Sequence, residues 1–280
     1  MPLVLASTWP AQLAVVVPIV AAYGALFLVL VRNARRAPSG ARVGWTHVLP
    51  FVAGVLAVLA AGAPPLSRTA DDTLLGHMLQ HVLLADVAGA LLVLGLRAPL
   101  LSLGLPRPLL RAVAPGGRWG GAVRRLTSPW LAVGLFAAMQ WTWAVPALLE
   151  ATAQSSALHL LQHALLFYSG LLLWWVVIDP LGHRRHAPGI HRVVLVGLSR
   201  LATVAVCLPL TFLNTELFPD YAAKAVARGQ DPIVQQQLAG AAMCLLEVVV
   251  FGLAIGAVLI DALRREERRH RLSERAVRHT

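Results

Sequence analysis

Leu74–Leu96 reads LLGHMLQHVLLADVAGALLVLGL, an apolar run with no Lys or Arg and one carboxylate, Asp86. At about 1.5 Å per helical residue it is long enough to cross a hydrocarbon layer about 30 Å thick. Its opening octapeptide, His77-Met78-Leu79-Gln80-His81-Val82-Leu83-Leu84, returns as His159-Leu160-Leu161-Gln162-His163-Ala164-Leu165-Leu166 at the head of a second apolar run. Residues i and i+4 share a helix face, so each copy points two imidazoles the same way. Ionisable groups are expensive inside a membrane and tend to be functional there, so the doubled pair reads as a ligand set. A single intramembrane His, by contrast, reads as an interhelical hydrogen-bonding residue.

Outward from these runs, the whole chain carries the same character. It is 58% hydrophobic and 13% charged over 280 residues, with a mean hydropathy of +0.69, too apolar for an ordinary soluble domain. Seven segments are expected to span a bilayer as an all-α polytopic bundle: Ala11–Val31, Thr46–Gly62, Leu74–Leu96, Pro129–Leu149, Leu158–Val177, Val193–Leu213 and Gln236–Ile260. Residues 1–262 are read as the seven-span domain and 263–280 as a basic cytoplasmic tail. Net charge is +11, and the basic residues cluster in alternate loops at Arg32–Arg42, Arg97–Arg125 and Arg184–Arg192, and in the tail. By the positive-inside rule these loops are cytoplasmic and the N-terminus is outside. The basic residues carry no base-reading motif, so lipid headgroups rather than nucleic acid are the expected partner. The repeated octapeptide suggests that spans two and three are repeated by spans four and five.

With that orientation, His77 and His159 lie near the outer interface, and His81 and His163 roughly 7 to 10 Å deeper. Small residues follow on the same faces, Ala88 and Gly95 in one helix and Gly170 in the other, which would let backbones approach closely. On the last span Gln236, Gly240, Met243 and Glu247 share a face, with Met243 about 10 Å below the outer surface. Imidazole, thioether and thiol together suit Cu(I) better than a hard cation. Cys207 and Cys244 reach a similar depth. They lack CxxC spacing and are read as small buried hydrophobes rather than a disulfide framework. Asp86 lies on the far side of its helix from the His77/His81 face and is expected outside that site, near Arg200 and Glu247, where an internal ion pair is expected.

Together these blocks resemble the caa3-type CtaG family of seven-helix membrane proteins. The resemblance runs from about Thr73 to Leu259 and rests on His77-Met78-Leu79-Gln80-His81, on His159 and His163, on Phe218-Pro219-Asp220-Tyr221, and on Gln236-Gln237-Leu238-Ala239-Gly240 with Met243. The chain departs from the family pattern at Ala144, where a His is common, at Gln235, where an Asp is usual, at Cys244, where an aromatic is usual, and at Ala88-Gly89-Ala90, where prolines are. The resemblance implies a factor in the bacterial cytoplasmic membrane that assists assembly of cytochrome c oxidase, with oxidase subunits as partners. Combined with the donor set, the expectation is a non-enzymatic protein handling copper as Cu(I) through His77, His81, His159 and His163, with Met243 as a soft fifth ligand. Two alternatives stand beside it. One is a b-type haem electron carrier, with one His from each helix as axial ligands. The other is a proton- or ion-coupled transporter built on Asp86, Glu247 and Arg200. No Ser/His/Asp set, paired-carboxylate site or Gly-rich nucleotide loop marks an enzyme.

Overall fold

Prolines and hydroxyl caps decide where the helices begin. A computed structural model describes residues 9–36, 43–181 and 189–278. Arg42, Arg184 and Arg185 of the basic loops lie outside the described residues. The helices are α1 (Trp9–Arg35), α2 (Trp45–Gly62), α3 (Leu66–Asp72), α4 (Leu74–Val82), a π-helical turn (Leu83–Ala88), α5 (Gly89–Leu96), α6 (Leu100–Gly104), α7 (Arg107–Val113), α8 (Gly120–Leu126), α9 (Pro129–Ala144), α10 (Pro146–Gln154), α11 (Ser156–Ile178), α12 (Gly189–Phe212), α13 (Pro219–Ala227) and α14 (Pro232–Arg278). No strand occurs among the described residues, so the molecule is an all-α polytopic bundle.

Six helices are long and apolar enough to cross a membrane, and the bent pair α9–α10 makes a seventh if it is one span. The crossing expected over Pro129–Leu149 falls on this bent pair. The axis turns by 73° between Ala144 and Pro146. A residue before proline is pushed out of the helical region, and Val145 accordingly sits at φ −66°, ψ 121°. The third span is likewise not a plain α-helix, because Leu83–Ala88 forms a π turn in its middle. Bulky apolar side chains such as Leu28, Phe212 and Leu253 face outward, as lipid-facing helices require.

The two His helices are built the same way. Thr73 caps α4, its hydroxyl accepting the Gly76 N–H at 3.0 Å, and Ser155 caps α11, accepting the Leu158 N–H at 3.3 Å. Each cap stands four residues before the first His of its pair. Each is preceded by a short helix that follows a proline break, α3 after Pro64-Pro65 and α10 from Pro146. The unit of long helix, proline, short helix, hydroxyl cap and His helix thus occurs twice, reaching well beyond the octapeptide.

Around the π turn, α2, α11 and α14 close in, and α12 packs along α14. Gly170 of α11 lies against the Ala85 backbone so closely that a β-carbon there would collide with its carbonyl. Gly89 meets the backbone of Gly170 and Leu171. Gly95 turns instead to α2, where a β-carbon would meet Phe51. On the other flank, Gly240 lets α14 approach Leu210 and Thr211 of α12.

Candidate metal-binding site

The N-terminal ends of α4, α11 and α14 converge, and the sequence-identified residues meet there. His77, His81, His159 and His163 are all at least nine-tenths buried. Across the two helices the ring centroids of His77 and His159 are 5.3 Å apart and those of His81 and His163 are 5.8 Å apart; within each helix the separations are 4.4 and 4.3 Å. The Nε2 atoms of His77, His81 and His163 are buried without a hydrogen-bond partner. Among the described residues, no three His, Cys, Asp or Glu side chains stand as a finished coordination sphere. The rings form a cluster that must turn about χ1 and χ2 to close on an ion.

One imidazole has its tautomer set. The Tyr221 hydroxyl lies 3.2 Å from the Ala70 carbonyl oxygen and 3.1 Å from His77 Nδ1. A carbonyl only accepts, so the single phenolic hydrogen goes to Ala70, and His77 Nδ1–H donates to the phenol oxygen. A neutral His77 then carries its lone pair on Nε2, the atom without a partner. Burial, followed by the negative charges of Asp71 and Asp220, pushes the Tyr221 hydroxyl well above its ordinary value, so the O–H remains a donor.

Tyr221 belongs to α13, a short helix laid over this end of the bundle. Lys224 Nζ donates to the Asp71 carbonyl at 2.7 Å and Arg228 to the Asp72 carbonyl at 2.6 Å, tying α13 to the end of α3. Glu150 of α10 accepts the Asp220 N–H at 3.2 Å. Gln236 holds the preceding loop, accepting the Leu217 N–H at 2.9 Å and donating to the Thr215 carbonyl at 3.1 Å. Tyr221 falls in a motif that sequence reading marked only by resemblance, whereas Gln236 was also marked by helix spacing. Their roles depend on loop partners some twenty residues away or more, which no local spacing reveals.

Met243 is buried beside Met78, and both line a cavity of about 290 Å³ with His81 and Gln140. Ala144 and Pro146, at the α9–α10 bend, line the same cavity. Met78 is therefore a second thioether at the site, hidden in the sequence because Met fills core gaps everywhere. The middle residues of the two repeats differ. Gln80 Nε2 donates to the Ala61 carbonyl at 2.5 Å, whereas both polar atoms of Gln162 are buried with no hydrogen-bond partner.

Cys207 and Cys244 do not stand as separate hydrophobes. They form a disulfide joining α12 to α14, with Cα atoms 5.6 Å apart. The expectation failed because cysteines 37 apart in sequence show no spacing signal; Gly240 draws the two helices together one turn away. Deeper in the bundle, Arg200 Nη1 lies 2.7 Å from Glu247 Oε2, the ion pair expected there, and Nη2 donates to the Cys244 carbonyl at 3.2 Å.

A family model described as cytochrome c oxidase caa3 assembly factor (Caa3_CtaG) matches residues 25–265. No curated protein and no solved structure matches the chain.

Proposed function

This chain belongs to the cytochrome c oxidase caa3 assembly factor family, and from that premise we propose that it holds Cu(I) as cargo at the junction of α4, α11 and α14 and delivers it to an oxidase copper centre. The observation that carries the reading is the convergence of four buried imidazoles from two helices, three of them with an unpartnered Nε2. Buried polar atoms are ordinarily hydrogen-bonded, so orphaned nitrogens grouped beside the unpaired amide of Gln162 call for a polar guest. Neutral imidazoles with thioethers at Met243 and Met78 select a soft monovalent ion. Delivery suits this donor set, since Cu(I) takes few ligands and surplus donors offer a way on and off. The lone pair on His77 Nε2 supplies one donor without a proton having to leave.

In this reading the protein binds and transfers without turnover. It sits in the bacterial cytoplasmic membrane with the His end outside, and its partner is an oxidase subunit that accepts copper. A haem between axial imidazoles needs a flat slot, and the rings here stand edge to face and stacked against one another.

The test is copper per protein after Cu(I) loading of the detergent-purified chain. Wild type is expected to bind Cu(I) stoichiometrically, and His81→Ala with His163→Ala together to abolish binding while the protein stays folded. A merely structural His would cost only about 0.6 kcal/mol per interhelical hydrogen bond, with no metal phenotype. Wild type that cannot be loaded, or a double mutant supporting full oxidase activity in cells, would overturn the proposal.

A further inference from the structure

Below the His cluster the bundle buries two carboxyl groups, one of them paired with a guanidinium. Asp86, in the π turn, and Glu247, on α14, are fully buried. Arg200 of α12 pairs with Glu247 Oε2 at 2.7 Å, and its Nη1 also donates to Thr203 Oγ1 at 2.9 Å. Three carboxyl oxygens have no hydrogen-bond partner: both of Asp86 and Oε1 of Glu247. Asp86 and Glu247 lie on elements packed against each other, the π turn and α14. The other helices packed against the π turn bring no further charge to it. The titratable groups of α2 and α11 are His47, His159, His163 and Tyr168, none of which is a carboxylate or a permanent cation.

Arg keeps its charge in any protein environment, and the Glu247 carboxylate neutralises it. An ionised Asp86 would then be an uncompensated charge in an apolar interior, which a protein avoids by neutralising the group. A proton on Asp86 removes the charge and creates an O–H donor. A metal cation fits poorly, because Thr203 Oγ1 is already engaged by Arg200 and donates to the Arg200 carbonyl.

We propose that Asp86, Glu247 and Arg200 form a buried site for one exchangeable proton, and that this proton is given up when the monovalent cargo enters the His/Met end. The first half stands on the cluster alone; the second rests on the copper reading above. The link is geometric. Glu247 follows Met243 by one turn and Asp86 follows His81 by five residues, so cargo and carboxyls are separated by roughly 6 to 8 Å along the axes. A unit positive charge at that distance in a low-dielectric interior opposes a proton strongly. On loading, the Asp86 O–H bond breaks, the proton passes to bulk water, and no electrons move. The cargo charge is thereby balanced by the carboxylate. Reciprocity requires that lower pH weaken cargo binding.

Infrared spectroscopy of the purified protein tests both halves. Wild type at neutral pH is expected to show the carbonyl stretch of one buried protonated carboxyl, lost in Asp86→Asn and shifted in Glu247→Gln, both near-isosteric changes. Absence of that band in wild type, or its persistence in Asp86→Asn, overturns the proton site. Titration with Ag(I), a redox-inert monovalent probe, is expected to remove the band in step with binding. Ag(I) that binds and leaves the band unchanged overturns the coupling. A protein that shows the band but takes up neither Ag(I) nor Cu(I) overturns the copper reading and the coupling, while the proton site stands.

Discussion

Tyr221 carries the most information of any single residue, since one phenol both closes α13 onto α3 and sets the tautomer of His77. Tyr221→Phe leaves the ring packed and removes the hydroxyl. Groups that orient a metal-binding His typically matter about 10- to 100-fold in affinity, so Cu(I) binding is expected to weaken by that factor in a competition titration. The copper stoichiometry should not change. The same phenol has a pH signature with a definite sign. Its folded value is raised above the ordinary tyrosine value of about 10, so the folded state holds the proton more tightly. The stability this gives is present below that value and lost as pH rises beyond it. Melting temperature in detergent is expected to fall more steeply above about pH 10 in wild type than in Tyr221→Phe.

At the scale of elements, the decisive contact is between α11 and the π turn. Gly170 places α11 directly on the Ala85 backbone, which cannot move aside as a flexible side chain would. Gly170→Ala is expected to separate the helices and destabilise the fold by about 1–3 kcal/mol, the usual range for overpacking. It should also lower Cu(I) occupancy, because the two His pairs ride on these helices. Gly252 of α14 is the control: a β-carbon there meets nothing within 4 Å, so Gly252→Ala should be neutral or stabilising by up to about 1 kcal/mol. Thermal melting of the two variants side by side checks the pair. Equal behaviour would mean that the close approach is not needed. Some of this contact was legible beforehand. Gly170 stood on the face of the His159/His163 pair, but its partner on the other helix, the Ala85 backbone, was not marked.

For the whole molecule, the charge pattern makes a prediction about orientation. The basic loops are expected on the cytoplasmic side, so reporter fusions at Ser67 and Gly116 should report the outside and the cytoplasm respectively. Both reporters on the same side would overturn the seven-crossing topology, and reversed sides would put the His cluster at the cytoplasmic end.

What the sequence determined by itself was everything that depends on local composition and short periods. Apolar runs of spanning length specify a helical membrane bundle, because lipid offers the backbone no hydrogen bonds and a helix satisfies them within the segment. The four-residue spacing of His77/His81 and His159/His163 specifies shared faces, because helix geometry allows nothing else. The Gln236–Glu247 face was legible for the same reason. Only the tertiary structure decided what lies opposite each face. It alone joined Cys207 to Cys244, set Tyr221 on His77, bent the chain at Val145, and left both carboxyl oxygens of Asp86 without a hydrogen bond. The first three depend on pairings between distant segments or on how a proline break is resolved. The last depends on which side chains the neighbouring helices bring within reach of a buried carboxyl, and an apolar run carries no mark of that.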